Sequence, residues 1–335
     1  MVGFKRFIYI LLFVTLEQIS FCQQLPLYSQ YLYNKFLINP AHAGSDGYTS
    51  FNLTAREQWA GYSLNPRTFS LSWQTRILKK GYRINKNLFN RTSYAPKNDG
   101  KVGLGGYLFS DRNGLLQRTG FQASYSHNLW LKENTQLSMG LAFTGYHFRI
   151  NANENSFEDQ NEPWINNNLR RGVFVADADF GFYLLNPKFD IGFSAMQLFG
   201  AAAKTGGYAY SNFRTDRHYY LFGSYYLRAG ARGELEPTML FKISEQLKPQ
   251  ADIGITYIYN QNLWTGIAYR TGGGLITNIR FRYIPGYTEW TTLFFGYAFD
   301  FTLNQIQRVT YGSHELTIAL KFGDKSRKYR WLDRY

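Results

Sequence analysis

The chain has 335 residues with 37 Lys plus Arg, 23 Asp plus Glu and a single cysteine, which gives a formal net charge of +14. Aromatic residues make up 19% and charged residues only 18%, which excludes a disordered chain, and one cysteine excludes an internal disulfide framework. A mean hydropathy of −0.36 argues against a bundle of membrane-spanning helices, so an aromatic, glycine-rich β protein remains, a composition typical of outer-membrane barrels.

The N-terminus has the order of features expected of an export signal. Lys5 and Arg6 precede an apolar run over 7–16. The small residues Ser20 and Cys22 then lie at the −3 and −1 positions of a cleavage site. This pattern predicts a secretory signal peptide over residues 1–22. A membrane anchor is the alternative, but the apolar run is shorter than the roughly 20 residues that a spanning helix needs.

Residues 23–47 precede the first predicted strand and are rich in Tyr, Asn and Leu. A loose leader is rarely this aromatic. We therefore expect the segment to pack against the periplasmic opening of a barrel, or inside it as a plug, with contacts from Tyr28, Tyr31 and Phe36.

Strict alternation of apolar and polar residues dominates residues 48–323 and predicts membrane strands. Ile253 and Ile255, for example, alternate with Asp252, and Phe295 and Phe299 with Asp300. The alternative is a soluble β-sandwich, which tends to have shorter strands. The predicted strands number fourteen and cover residues 48–60, 67–78, 101–112, 115–130, 135–150, 173–185, 188–199, 217–230, 236–244, 249–260, 262–272, 275–284, 291–304 and 312–323.

If the first strand starts in the periplasm, the short connections fall on the periplasmic side. The connections 151–172 and 200–216 are then external and long, the usual asymmetry of such barrels. The connection 79–100 and the tail 324–335 would make the periplasmic face basic. The first carries six basic residues against one acidic, and the second five against two.

Alternation also predicts which charged side chains point into the lumen. Buried charges must pair or coordinate, so we expect cross-bracing of the wall, a lined water passage, or a surface for a polar peptide or its terminal carboxylate. The expected lumen network consists of Arg56, Arg76, Asp177, Asp179, Asp190, Arg228, Asp252, Arg270, Arg280, Arg282, Asp300 and Glu315, joined by Lys242 and Lys321.

No pattern of residues predicts a catalytic, metal or cofactor site. The five histidines are scattered and lack ligand spacing. Asp177 and Asp179 share a strand face with Asp190 on the next strand, so calcium binding and paired-carboxylate catalysis stay open, but salt bridges to lumen arginines are favoured. The pI near 9.6 suits anionic lipid or an acidic partner better than nucleic acid in an exported barrel.

Several short motifs, in order along residues 28–323, resemble the PorP/SprF family. The S-Q-Y-x-x-N opening matches Ser29 to Asn34, and N-P-A-x-A-G matches Asn39 to Gly44, although the family more often has an aromatic residue at His42. Further motifs match Arg56-Glu-Gln-Trp59 with Pro66 and Thr68, Gly103-Leu-Gly105 with Asp111 and Gly114, Trp264 to Arg270, and Gly312-Ser-His-Glu315.

The resemblance implies a fourteen-stranded, non-enzymatic outer-membrane barrel of the Bacteroidota type IX secretion and gliding machinery. Members assist the export and surface attachment of secreted, adhesin-like proteins through the cargo's C-terminal domain, and others are linked to periplasmic secretion components. Aromatic anchors in the external connections are expected to contact the cargo: Phe157, Trp164, Tyr208, Tyr210 and Phe213. A general diffusion porin or small-solute channel is the alternative function, and an outer-membrane enzyme is less well supported.

Overall fold

In the computed structural model, the described residues form one sheet of antiparallel strands. They cover 28–77, 101–132, 135–150, 172–200, 203–205, 215–245, 249–286 and 291–323. The strands are β1 (Thr49–Glu57), β2 (Arg67–Ile77), β3 (Val102–Asn113), β4 (Leu116–Lys132), β5 (Thr135–Ile150), β6 (Val173–Leu185), β7 (Phe189–Met196), β8 (His218–Tyr225, continued by Leu227–Arg228), β9 (Gly233–Ser244), β10 (Gln250–Tyr259), β11 (Leu263–Arg270), β12 (Gly274–Tyr283), β13 (Thr291–Thr302) and β14 (Ser313–Phe322). A three-residue strand, Ala203–Thr205, pairs with β6 outside this ring.

Each strand pairs with its sequence neighbours, and β14 pairs with β1, so the sheet closes on itself. Arg56 lies opposite Glu315 across this closing seam. The predicted fourteen-stranded antiparallel barrel is therefore confirmed. We call the end at which β1 begins and β14 ends the terminal end, and the opposite end the distal end.

The alternation of the strands separates an apolar outside from a polar inside. Ile253 and Phe295 are 58% and 45% exposed on the outer surface, while Asp252 and Asp300 are 2% and 6% exposed on the inside. Because the sheet closes into a ring, it has no free strand edges. The backbone groups in the lipid-facing part of the strands are therefore paired with neighbouring strands. The predicted facing of these residues is correct.

Most strand boundaries differ from the prediction by one or two residues, and three differ by three. One of these is the end of β1, at Glu57 rather than at 60. β9 begins at Gly233 rather than at 236, so Pro237 lies inside the strand rather than at its start. Pairing between β8 and β9 is interrupted beside it, since a proline has no N–H to donate. β7 ends at Met196 rather than at 199, because Gln197 takes a positive φ of 60°.

Residues 28–46, which we call the plug, lie inside the barrel. Tyr31 is 3% exposed and Phe36 is fully buried. The plug has two short 3₁₀ helices, Lys35–Leu37 and Pro40–His42, and a third 3₁₀ helix, Gln305–Val309, lies between β13 and β14. No helix in the described part of the chain is long and apolar enough to cross a membrane. The barrel interior is thus filled by the chain's own N-terminal segment.

Candidate functional site

A buried charge network holds the start of the plug. Arg56 on β1 donates from Nη2 to Asp300 Oδ2 at 2.6 Å and from Nη1 to Glu315 Oε2 at 2.9 Å. All three side chains point inward because alternation places them on the lumen face of neighbouring strands. A guanidinium shared by two carboxylates at these distances is the strong, charge-assisted kind of ion pair.

The same carboxylates bind the plug directly. The backbone N–H groups of Ser29 and Gln30 donate to the two oxygens of Glu315, at 2.7 and 2.9 Å. The Ser29 hydroxyl accepts from Arg56 and donates to Asp300, at 2.7 and 2.6 Å. We call Arg56, Asp300 and Glu315 the charged seat of the plug.

The network continues along the wall to β11 and β10. Arg270 grips Asp252 with two donors, Nε to Oδ1 at 2.9 Å and Nη2 to Oδ2 at 2.7 Å, and its Nη1 reaches Asp300 at 3.4 Å. Both guanidinium groups are therefore engaged by wall carboxylates. Capture of a cargo carboxylate by Arg56 or Arg270 would require these contacts to break first.

Two more ion pairs join the plug to the wall. Lys35 Nζ lies 2.6 Å from Asp190 Oδ1, and Lys321 Nζ lies 3.3 Å from Asp46 Oδ2. Ser224 also donates to Asp190, at 2.7 Å. Because these charges are almost fully buried, losing one partner would leave the other uncompensated in the interior.

The second half of the plug is held by shape. A methyl group added at Gly103, Gly140 or Gly181 would lie under 3.0 Å from plug atoms, those of Ala43, of Ala41 and of the Asn39 side chain respectively. A real Cβ does not approach so closely, so these inward positions admit only glycine while the plug is seated. We call Gly103, Gly140 and Gly181 the glycine seat.

Wall side chains then satisfy the polar backbone of this half. Ser194 donates to the carbonyl oxygen of Ile38, and Ser126 donates to that of Ala43 at 2.6 Å. Asn39 in turn donates to the carbonyl oxygen of Phe182 at 2.8 Å. Such contacts satisfy backbone groups that burial would otherwise leave unpaired.

His42, which lies in this half, is buried against the wall. Its Nδ1 is 3.4 Å from Gln74 Oε1, and its ring is tilted against Tyr183 at a centroid distance of 5.1 Å. Burial lowers the pKa of His42 to about 4, since the charged form would lose its hydration. The imidazole is therefore neutral at physiological pH.

Two of the predicted lumen arginines, Arg76 and Arg280, contact the plug region. Arg76 donates to the backbone oxygen of Ser45 and to Gln136. The Arg280 guanidinium lies 4.0 Å from the centroid of Phe294 and 4.6 Å from that of Tyr33 on the plug, a cation–π arrangement.

Two predicted members lie outside the buried network. Arg228 is exposed, because it lies beyond Tyr226 at the terminal end of β8 where the wall stops. Arg282 is only partly buried, and its Nε donates to Asn262 at 3.1 Å. The alternation predicts which face of the strand these residues lie on. It does not predict how far along the barrel axis they lie.

The paired carboxylates of β6 hold a turn. Asp179 accepts from Thr144 at 2.6 Å and from the backbone N–H of Gln197 at 2.8 Å. Asp177 accepts from the backbone N–H of Phe199 at 2.9 Å. These contacts fix the chain where it leaves β7, and salt bridges of Asp177 and Asp179 to lumen arginines, the favoured interpretation, stay a prediction.

The predicted cargo anchors Phe157, Trp164, Tyr208, Tyr210 and Phe213 lie outside the described residues. So do the predicted signal peptide, the connection 79–100 and the tail 324–335. Within the described ranges, no group of three His, Cys, Asp or Glu side chains could hold a metal ion.

Sequence reasoning missed the plug partners Lys35 and Asp46 and the role of the inward glycines. The plug has no strand or helix period from which a facing direction could be read. A signal did exist for the glycines, since Gly103, Gly140 and Gly181 occupy lumen positions of strands, where a missing side chain indicates close backbone approach.

Residues 20–320 match the family model described as type IX secretion system membrane protein PorP/SprF. The chain therefore belongs to the PorP/SprF family and is an outer-membrane β-barrel of the type IX secretion system. No curated protein matches the chain. Residues of five family-like motifs meet at the plug, namely Ser29 and Gln30, Asn39 to Gly44, Arg56, Gly103, and Glu315.

Solved structures that resemble the chain share little sequence identity with it. The CymD monoaromatic hydrocarbon channel has a TM-score of 0.51 at 10% identity, covering 91% of this chain and 94% of its own. The toluene transporter TbuX of Ralstonia pickettii has a TM-score of 0.45 at 11% identity, with 86% and 92% covered. A FadL homologue of Pseudomonas aeruginosa has a TM-score of 0.46 at 10% identity, with 90% and 95% covered. At this identity, the likeness to CymD shows the fold alone.

Proposed function

We propose that the protein is a plugged docking platform of type IX secretion. In this function it assists export of a secreted, adhesin-like protein and holds that protein at the cell surface through the cargo's C-terminal domain. The observation that carries the proposal is the buried plug, whose residues Ser29 to Asp46 fill the interior with almost no exposed surface. A closed interior leaves the two ends of the barrel as the surfaces on which it can act.

The distal end offers a preformed surface for such a partner. The turns 58–66 and 303–312 are joined by hydrogen bonds between Ala60 and its neighbours across the seam, Gly312 and Tyr311, each at 2.8 Å. These bonds extend the β1–β14 pairing beyond the barrel rim. We call the two turns the distal turn pair.

Large apolar side chains of the distal turn pair are exposed beyond the lipid-facing band. The exposed ion pair Glu57–Arg67, at 2.8 Å, marks the edge of that band. Past it, Tyr311 is 79% exposed and Tyr62 is 49% exposed. Apolar surface that is outside the lipid and ordered is typical of protein interaction sites.

The backbone of this surface is strained. Trp59 and Leu64 have positive φ values of 52° and 58°, which are outliers for bulky side chains. Each such residue costs on the order of 1–3 kcal/mol and persists only where surrounding contacts enforce it. Strain of this kind clusters at binding sites, so it supports an interaction role for the distal turn pair.

With β1 starting in the periplasm, the distal end is external and its connections 151–172 and 200–216 would join the same docking surface. The carboxylates Asp177 and Asp179 support this arrangement, since they fix the chain where it leaves β7 toward the second connection. The basic connection 79–100 and tail 324–335 would then meet other secretion components in the periplasm.

The test is surface retention of secreted proteins in cells that carry distal variants. Deleting 157–168, or replacing Trp164 and Tyr208 together by Ala, should release cargo into the medium while the barrel still folds. Replacing Tyr62 and Tyr311 by Ser should weaken retention as well. The matched control is Tyr283→Ser on the outward face at the terminal end, which should leave retention unchanged.

Unchanged retention in all three distal variants would show that cargo docks elsewhere. If removal of the whole gene left both export and retention intact, the platform function would be wrong. Ohmic conductance of the unaltered protein would then favour the porin or small-solute channel instead.

A further inference from the structure

A small cavity lies between the plug and the wall, beside the charged seat, since Arg270 of its lining also contacts Asp300. Tyr28, Tyr31 and Ile38 line it from the plug, and Lys242 lines it from β9. Its free volume is about 20 Å³. That is room for roughly one water-sized particle.

Lys242 brings a buried amine to this cavity. Lys242 is only 5% exposed, and its Nζ has no hydrogen-bond partner among the described residues. The nearest described interaction is with the ring of Tyr220, at 5.8 Å from the centroid. A buried ammonium normally requires a counter-charge or several acceptors.

The carboxylate of the lining does not supply that counter-charge. Asp252 is the acidic residue of the cavity wall. Both of its oxygens accept hydrogen bonds from Arg270, at 2.9 and 2.7 Å. The cavity lining therefore carries Lys242 and Arg270 against Asp252, a net charge of +1.

We propose that this cavity binds one monovalent inorganic anion of about the size of chloride, held by Lys242 Nζ between plug and wall. The volume excludes a carboxylate or a phosphate group, which are several times larger. A water molecule would fit but would leave the positive charge of the lining in place. The anion would join the plug to β9.

The direct test is an anomalous difference map from crystals of the full chain grown in sodium bromide. The expected result is a bromide peak in the cavity at hydrogen-bonding distance from Lys242 Nζ. A map with bromide only on the surface, or with none in the cavity, would overturn the proposal. It would indicate that the lysine is neutral or solvated by water alone.

A solution experiment uses thermal unfolding of the detergent-solubilised protein in sodium chloride and in sodium gluconate at equal ionic strength. The unaltered protein should unfold at a higher temperature in chloride, and Lys242→Met should lose this difference. Lys321→Met is the matched control, since Lys321 is equally buried but already paired with Asp46, and it should keep the chloride effect. An equal chloride effect in Lys242→Met would contradict the site. If Lys242→Met does not fold, the bromide map of the unaltered protein decides.

Discussion

The charged seat and the glycine seat hold the two halves of the plug by different interactions. At the charged seat, Ser29 and Gln30 meet Arg56, Asp300 and Glu315, and the contacts are ionic and directional. At the glycine seat, Asn39 to Ala43 lie against three strand positions that carry no side chain. The first half is held by charged side chains of the wall, and the second by close packing against wall positions that lack a side chain.

This difference predicts different responses to mutation. Buried ion pairs fail when one partner is removed, because the remaining charge has lost both water and its counter-ion. A close-packed backbone contact fails when volume is added, because neither chain can move away without breaking its own hydrogen bonds. The plug is thus fixed by independent means at the charged seat, at the glycine seat and at the ion pairs of Lys35 and Asp46, which favours a permanent part of the fold over a segment that exchanges readily.

The largest effect is expected at the charged seat. Arg56→Met leaves Asp300 and Glu315 buried without their shared cation and should lower the free energy of unfolding by about 3–5 kcal/mol. Urea unfolding in detergent, followed by heat-modifiable gel mobility, measures the change. Arg67→Met is the control on the neighbouring strand, since it breaks the exposed pair with Glu57 and should cost less than about 1 kcal/mol. Equal losses in the two variants would show that burial of the charged seat is not what stabilises it.

A smaller effect is expected at the glycine seat. Gly140→Ala places a methyl against the backbone of Ala41 and should cost about 1–3 kcal/mol by overpacking. The plug should also become accessible to protease under conditions in which the unaltered protein resists cleavage. Gly286→Ala, at a position with no atom within 4 Å of an added methyl, is the control and should leave both readouts unchanged. An intact, protease-resistant Gly140→Ala protein would mean that the plug does not lie as described.

The last effect depends on pH and concerns the half of the plug at the glycine seat, and it is the smallest of the three near neutral pH. The pKa of His42 falls to about 4 in the folded state. Above pH 6.5 the imidazole is neutral whether or not the plug is docked, so it makes no pH-dependent contribution to stability there. Below that value an undocked plug binds a proton that the docked plug excludes, so stability should fall by up to about 1.4 kcal/mol per pH unit, levelling off near pH 4. Unfolding midpoints between pH 7 and 4 measure this slope. His42→Phe should reduce the slope, and an identical slope in that variant would assign it to another group than His42.

The barrel was predictable from sequence because a lipid-facing strand must repeat every two residues and its strands close into a ring. Alternation also gave the facing of Arg56, Asp252, Asp300 and Glu315. It did not give their partners, which depend on strand register and on an irregular plug. The contacts of Asp177 and Asp179 with backbone amides were not predictable, because a backbone amide leaves no mark in a sequence.

The plug was predictable only in part. Its aromatic content indicated burial, and Tyr28, Tyr31 and Phe36 are indeed buried. The ion pair of Lys35 with Asp190 joins residues 155 positions apart and follows no periodic pattern. The glycines could have been recognised as a seat only once the plug was known to pass them.

The central claim is that residues 28–46 close the interior, and conductance in planar lipid bilayers tests it most directly. The purified full chain should show no stable ohmic current, while a variant lacking residues 28–46, verified as folded by heat-modifiable mobility, should show discrete conductance steps. Gly140→Ala should show intermittent openings between these limits. Stable porin-like conductance of the full chain, equal to that of the deletion variant, would contradict the account.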